Sequence, residues 1–491
     1  NSACGIYLAG SSSKDQNNEI GGINGRKCYI GGSNSNDIGG QYSSDVYGIY
    51  AYRQENISIH HCEIKNVFHG NYNYQLFGML LTQVVGNCNI YNNSIHDIKN
   101  TSTSSSQNRI VGIQIYLENI NNPVCNIYNN YIYNITSSLT GSNSSLNIIG
   151  LHLYAINETN KTFNIYNNTI KIDASSSYDV TSSTCLWLNS YSTGTYNTTI
   201  KCMNNIFANY TSAQSGSYKH YCVYSYGTTN PLGTNSNWNF NDYYVHNTTN
   251  GFIGYAGSDK VTLFDWQAVS LNDVNSVNQA PPFVSANDLH IAAGSNTLLE
   301  SGGTNLALFS DDYDGDTRPG PTGSLNGGAL SYDIGADEFD GIPTNVCAAP
   351  ANQPTNLELN STLTTITGGF VAAASAPDGY LVVYSTSSEL SSNPVNGTAY
   401  QTGDTFGNAT VLQRSSSTTI NATGLGSGAH YYIFVFSYNS NDCQGGPKYL
   451  TTSPLSGNIY TLPGDATAFT ATSINSSQID LSWALNTGLN D

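Results

Sequence analysis

The residues able to do chemistry in this 491-residue chain fall into four groups. Asp312, Asp314 and Asp316 set alternate carboxylates around Gly315, the oxygen-donor pattern that a hard cation such as calcium takes. No glutamate follows at EF-hand spacing. The competing reading is a tight turn held by Asp–backbone bonds and an Arg318–carboxylate pair. His60, His61, Glu63 and His69 form the second group, which matches no zinc spacing and would serve as a sugar-binding patch on an outer face. Glu118 and Glu158 form the third, since paired carboxylates about 5 to 9 Å apart are what a glycosidase needs. Counted from Gly112 and Gly150, however, they stand six and eight residues on, out of register. Asp333, Asp337, Glu338 and Asp340 form the fourth and read as a solvated capping segment. A lyase also needs a Lys, Arg or Tyr base beside a metal or neutralising group. Basic residues are scarce between 46 and 250, although tyrosine is plentiful, at 36 residues.

The elements that must position these groups come from a repeated phrase. Ile90-Tyr91-Asn92-Asn93-Ser94-Ile95 returns as Ile127-Tyr128-Asn129-Asn130-Tyr131-Ile132 and as Ile165-Tyr166-Asn167-Asn168-Thr169-Ile170. Looser copies begin at Ile59 and Cys202, so successive copies lie 31, 37, 38 and 37 residues apart. A fixed period in this range marks stacked units that bury their apolar faces against one another. Apolar–polar alternation inside each copy predicts short strands, and the Asn pair predicts a bend, because Asn tolerates the left-handed conformation. Upstream strands open on a small residue, as in Gly112-Ile113-Gln114-Ile115 and Gly150-Leu151-His152-Leu153. A third strand follows the Asn pair. Three strands per unit and one long polar loop predict a β-solenoid. Ile90, Ile127 and Ile165 would form one ladder, and Asn93, Asn130 and Asn168 another at the bend. Coils about 4.8 Å apart would give a rod roughly 40 Å long.

The G-I-x-I and N-I-x-N-N-x-I phrases resemble the repeats of right-handed parallel β-helix proteins, over about the first 340 residues. Ile20-Gly21-Gly22, Ile30-Gly31-Gly32 and Ile38-Gly39-Gly40 read as three corners of one compact coil. Regular coils would run over 1–255. The closing stretch, 256–342, carries Asp312-Tyr313-Asp314-Gly315-Asp316-Thr317-Arg318-Pro319 and Asp333-Ile334-Gly335-Ala336-Asp337-Glu338-Phe339. It looks like the C-terminal segment of secreted Bacteroidetes β-helix proteins, and would cap the last coil against edge pairing. Residues 350–462, after a Pro-rich linker, resemble a fibronectin type III domain with Tyr431 at the tyrosine-corner position. Cys347 and Cys443 flank that sandwich and are expected to form a disulfide, in keeping with an oxidising exterior. Residues 463–491 look like the opening strands of a second such domain, left incomplete.

Composition narrows the function. Charged residues are only 10%, and the formal net charge is −18 with 15 Lys and Arg. That balance argues against nucleic acid, which needs a basic face, and against docking on anionic lipid. No apolar run approaches the ~20 residues of a membrane span. The ten cysteines include no C-x-x-C pair, so zinc is disfavoured. Cys88 and Cys125 instead read as small core residues of one stack. Sequons occur at Asn134, Asn157 and Asn197. No signal peptide precedes the first strand, so targeting signals are expected outside this segment.

Taken with the resemblance, which implies export by the type IX system, the expectation is a non-catalytic extracellular or cell-surface adhesin, stalk or fibre protein. Its partner would be a glycan bound through the coil face and loops, with no cofactor other than calcium as a candidate ion. The alternative is a polysaccharide lyase or glycoside hydrolase. A cleft with convergent titratable groups favours the enzyme, and a face of tyrosine and asparagine favours the adhesin.

Overall fold

The computed structural model describes residues 3–484 except 11–13, 24–25, 35, 42–43, 71–73, 102–108, 119–121, 139–142, 155–159, 174–180, 190–197, 212–217, 227–235, 247–248, 271–272, 322–330, 344–346, 440–446 and 466. The chain forms two compact units, Asn1–Pro343 and Thr344–Asp491. Among the described residues all regular structure is strand, apart from the helix Leu263–Ser270. Among the described residues no helix is long and apolar enough to cross a membrane.

The first unit is built from parallel pairing of strands one repeat apart. In its first sheet Ile49, Met79, Ile113, Leu151, Leu186 and Val223 are successive partners. In the second, Ile59, Ile90, Ile127, Ile165, Cys202 and Trp238 follow one another. A third sheet aligns Ile64, Ile95, Ile132, Ile170, Phe207 and Tyr243. Nearly all are fully buried in one continuous core. A fourth, shorter sheet pairs Ile38, Val67, Ile98 and Ile135, so the earlier sequence repeats carry four strands where three were expected. Its members span only three residues each, too short for the alternation to be visible. Ile20, Ile30 and Ile38 pair with Ile59, Ile64 and Val67, on three consecutive faces of one turn.

The bend uses the two asparagines differently. Asn92, Asn129, Asn167 and Asn204 take left-handed φ values of 52°, 51°, 47° and 59°. Asn93, Asn130, Asn168, Asn205 and Asn241 turn inward, fully buried or nearly so, and each donates Nδ2 to the next one's Oδ1 at 2.9–3.0 Å. The chain of amides starts where Asn93 accepts the Cys62 N–H. It ends where Asn241 donates to Asp273 at 3.3 Å. Glycine opens the first-sheet strands because the backbone passes close there. A Cβ on Gly112 would lie 2.6 Å from both the Gly150 carbonyl and an Ile132 methyl.

The last strands of the parallel sheets are followed by the helix Leu263–Ser270, which opens on a Thr262/Asp265 capping box. Its Trp266 is fully buried, with its ring 6.1 Å from Trp238 and 6.2 Å from Tyr243. Trp266, Tyr243, Ser276 and Asn241 all donate to Asp273. This helix, rather than the stretch after it, blocks the end of the core.

The 256–342 closing stretch thus divides in two: its helix lies over the end of the core, and the part after the helix runs along the flank of the repeats. Asn92 donates to the Asp312 carbonyl, Asn129 to Asp311, Asn167 to Asp333 and Gly335, and Asn204 to Thr304. The outward asparagine of four coils thus serves as a row of donors for one segment's backbone. The acidic group is also corrected. Asp333, Asp337 and Glu338 are 0%, 7% and 2% exposed, because tight backbone N–H groups and one arginine take the place of water. Arg318 and Glu338 form an ion pair at 2.5 Å, both side chains fully buried.

The second unit is a sandwich of two antiparallel sheets. Thr355–Ser361, Thr365–Val371 and Thr419–Thr423 form one. In the other, Gly379–Ser385 lies between Ala409–Ser415 and His430–Asn439, which in turn pairs with Leu455–Tyr460. This strand order is fibronectin type III-like. Tyr431 accepts the Gly426 N–H at 2.9 Å, the tyrosine-corner bond. Phe370 packs edge-on against Tyr380 at 4.9 Å. Cys347 is disulfide-bonded. Cys443, its expected partner, lies outside the described residues. Thr467–Asn475 and Gln478–Ala484 form an antiparallel hairpin.

Candidate functional site

The calcium triad is not brought together. Asp312 is fully buried, and its Oδ1 accepts the N–H groups of Asp314, Gly315 and Asp316 at 2.8–2.9 Å. Its Oδ2 accepts the Glu338 N–H. Four backbone N–H groups thus hold the Asp312 carboxylate, and among the described residues it forms no cluster of ligand atoms with Asp314 and Asp316. Asp312 is therefore the peg of a tight turn, with Arg318 pairing Glu338 nearby.

Asp314 turns instead to His290, accepting its Nε2 proton at 2.6 Å. The other ring nitrogen of His290 is held by Asp288. Bonding to Asp314 and Asp288 outweighs partial burial and lifts the imidazole to about 9, so it is charged near neutral pH. Asp337 completes the group: one ligand atom each from His290, Asp314 and Asp337 lie within 4.8 Å of one another. Burial raises Asp337 to about 6, although it accepts the Ile291 N–H at 2.7 Å.

His290 and Asp288 border a cleft of about 230 Å³, where the closing stretch crosses the third sheet; its walls include Lys27, Glu63, His96, Tyr131, Tyr133 and Tyr313. Lys27 donates to the Tyr313 hydroxyl at 2.7 Å. Glu63 is paired with Lys65 at 2.5 Å and lies 3.5 Å from His96. Burial raises the Glu63 carboxyl, but the bond from Lys65 and the charges of Lys65 and His96 leave it lowered overall. It is thus an ionised, occupied carboxylate. Tyr131 is 3% exposed, and its hydroxyl has no hydrogen-bond partner. Burial, then the charges of Asp337, Asp314 and Asp312, push it well up.

The other candidates disperse. His60 bonds Glu19 at 2.6 Å and His61 at 3.0 Å, and stacks on Tyr91 at 4.8 Å. His69 bonds the Ser44 carbonyl on another face. Glu118 is paired with Lys14. Glu158 lies outside the described residues, as do sequons Asn157 and Asn197 and most of the loops.

A second feature, missed in the sequence, is the outer face of the first sheet. The x positions of the G-I-x-I strands align as Tyr50, Leu80, Gln114, His152, Trp187, Tyr224 and Tyr255. His152 stacks on Trp187 at 4.3 Å and Tyr224 on Tyr255 at 4.6 Å. Tyr47, Phe77, Tyr221 and Phe252 belong to the adjoining row. Arg109 covers Trp187 at 4.7 Å. Trp187 Nε1 and His152 Nε2 are buried without a partner. The signal was available: outward positions of a solvated sheet are normally small and polar, and here five of seven carry a ring.

His152 gives this face a pH dependence. It is fully buried, with Nδ1 2.8 Å from Gln114 Oε1, and burial followed by Arg109 holds it well below its usual value. A depressed histidine adds stability that is complete above its unfolded value of 6.5 and is lost as pH falls. Stability of the first unit is expected to drop by up to about 2 kcal/mol from this group between pH 7 and 5. His152→Gln should lack that component in urea titrations at the two pH values.

No protein-family model and no curated protein matches this sequence. Among solved structures, a computationally redesigned β-sandwich protein aligns with 22% identity and a TM-score of 0.17, covering 23% of this chain and 92% of that one. A fibronectin type III domain of human collagen XX aligns with 22% identity and a TM-score of 0.15, covering 23% of this chain and 99% of that one.

Proposed function

We propose that the first unit is a right-handed parallel β-helix, and that the chain is a non-catalytic adhesin or structural protein of the cell exterior that takes a glycan on its first sheet. Right-handedness follows the general rule for parallel crossovers. The observation that carries the binding reading is the outer row from Tyr50 to Tyr255, in which five of seven aligned positions carry a ring, Leu80 and Gln114 being the exceptions. Half-buried rings in such a row, Tyr224 and Tyr255 among them, suit the apolar faces of successive sugars. The disulfide at Cys347 is in keeping with an exported protein. Type IX export rests on the family resemblance alone.

The test is a glycan array with the full chain, followed by calorimetry on the best hit. Tyr224→Ala and Tyr255→Ala are expected to weaken binding by about tenfold each, or ~1.4 kcal/mol. Glycan binding unchanged in the double variant, or none at all, would sink the reading. A polysaccharide-cleaving enzyme is the second reading, favoured by the convergence of Lys27, Glu63, His96 and Tyr133 on one cleft. Release of reducing or unsaturated ends from array hits, abolished by Glu63→Gln, would establish it in place of the first.

A further inference from the structure

We propose that His290 Nε2, Asp314 and Asp337 form a binding site for one divalent transition-metal ion, which staples the closing stretch to the coils.

The geometry comes first. The three ligand atoms lie within 4.8 Å of one another, a span that one ion in their midst can bridge. The side chains of His290 and Asp314 are 39% and 40% exposed, so an ion has a way in from solvent, while Asp337 forms a buried floor. One imidazole and two carboxylates are an intermediate donor set, better suited to zinc, manganese, cobalt or nickel than to calcium, which favours six or more oxygens.

Asp288 adds the arrangement that metal-binding histidines usually have. It holds Nδ1, fixing the ring so that Nε2 faces Asp314. A carboxylate behind the imidazole both orients it and raises its basicity toward a metal. Without an ion, Nε2 carries a proton shared with Asp314. A metal would replace that proton, leaving the Nδ1–Asp288 bond intact. Three carboxylates around one imidazolium also leave the site net negative, which attracts a cation.

An independent observation comes from the coils. Tyr131 lines the same cleft, is 3% exposed, and carries a hydroxyl without a partner. Its ring lies edge-on to His290 at 5.4 Å. A buried hydroxyl left unpaired is costly. A metal-bound water, or the ion itself, would satisfy it. Because Tyr131 belongs to a coil strand and the three ligands to the closing stretch, the ion would bridge the two.

The test uses the full chain, stripped with a chelator and dialysed, then titrated separately with Zn²⁺, Mn²⁺, Co²⁺, Ca²⁺ and Mg²⁺ by calorimetry. One equivalent of Zn²⁺ or Co²⁺ is expected to bind at micromolar or lower Kd, with visible absorption bands for Co²⁺ and a rise in Tm. His290→Gln and Asp314→Asn should each weaken binding at least 30-fold while leaving the far-ultraviolet spectrum of the metal-free protein unchanged. Tyr131→Phe should keep one equivalent and weaken it by three- to tenfold. No stoichiometric binding of any transition ion overturns the proposal. So does undiminished binding by folded His290→Gln and Asp314→Asn, which would place the ion elsewhere, or a preference for Ca²⁺ over Zn²⁺.

Discussion

Asn168→Ala is expected to lower the stability of the parallel unit by roughly 5 kcal/mol, far beyond the usual ~1 kcal/mol of a point substitution. The reason is the number of groups left stranded. Asn168 Oδ1 accepts the Asn130 backbone N–H and Nδ2 at 3.1 and 2.9 Å. Its Nδ2 donates to the carbonyls of Ile127 and Tyr166 and to Asn205 Oδ1. All of these sit where water cannot enter, since Asn130 and Asn205 are fully buried. Each unmet buried partner costs ~1–3 kcal/mol, and alanine replaces none of them. Asn168→Asp separates hydrogen bonding from packing. It has the same shape and keeps the acceptor, but loses both donors and buries a charge, so it should destabilise at least as much. Hydrogen exchange on the neighbouring strands Val124–Tyr128 and Thr199–Met203 is the suitable readout, because stacked coils need not unfold as one unit. Both variants falling within 1 kcal/mol of the parent would show that the ladder is ornamental.

That ladder was readable in the sequence, and the site beside it was not, for a physical reason. Ile90, Ile127 and Ile165 advertise their contact because stacking puts like residues on like, so period alone yields register. The two asparagines of each pair also divide by a rule of short range: the first supplies the left-handed bend, and the second points inward. The course of the closing stretch follows no period. Its anchors are bonds from Asn92, Asn129, Asn167 and Asn204 to backbone carbonyls 100 to 220 residues away, and a carbonyl carries no residue identity. The same blindness assigned Asp333, Asp337 and Glu338 to solvent. Four acids in eight residues look hydrated unless their donors are known. One clue was there: Arg318 is the only Lys or Arg between 261 and 413. A lone cation among so many acids is a candidate for a buried pair. The metal ligands escaped because Asp312-x-Asp314-x-Asp316 drew attention to spacing along the chain, whereas His290 and Asp337 approach Asp314 only through the folded stretch.

Arg318→Met is expected to cost ~3–5 kcal/mol of local stability, the usual penalty for stranding one partner of a buried ion pair. The guanidinium meets Glu338 at 2.5 Å and the Gly335 carbonyl at 3.0 Å, with Asn129 at 3.4 Å. Its removal therefore strikes both the pair and a link from the closing stretch to a coil. Glu338 is already under strain from burial, which lifts it to about 7 despite Arg318. Without the arginine it keeps only the N–H groups of Gly320 and Asp333. The loss should be confined to residues 281–343, since the coil cores share no side chain with the pair. Limited proteolysis should then cut within that stretch at least tenfold faster, while the strands around Ile127 stay protected. Glu338→Gln in the Arg318→Met background should return part of the loss, because a neutral amide no longer needs a cation. Its recovery in a double-mutant cycle measures the coupling between the two side chains. A cycle with no coupling, or faster cleavage throughout the parallel unit, would mean that Arg318 acts through general packing and that the flank segment is held by its asparagine anchors alone.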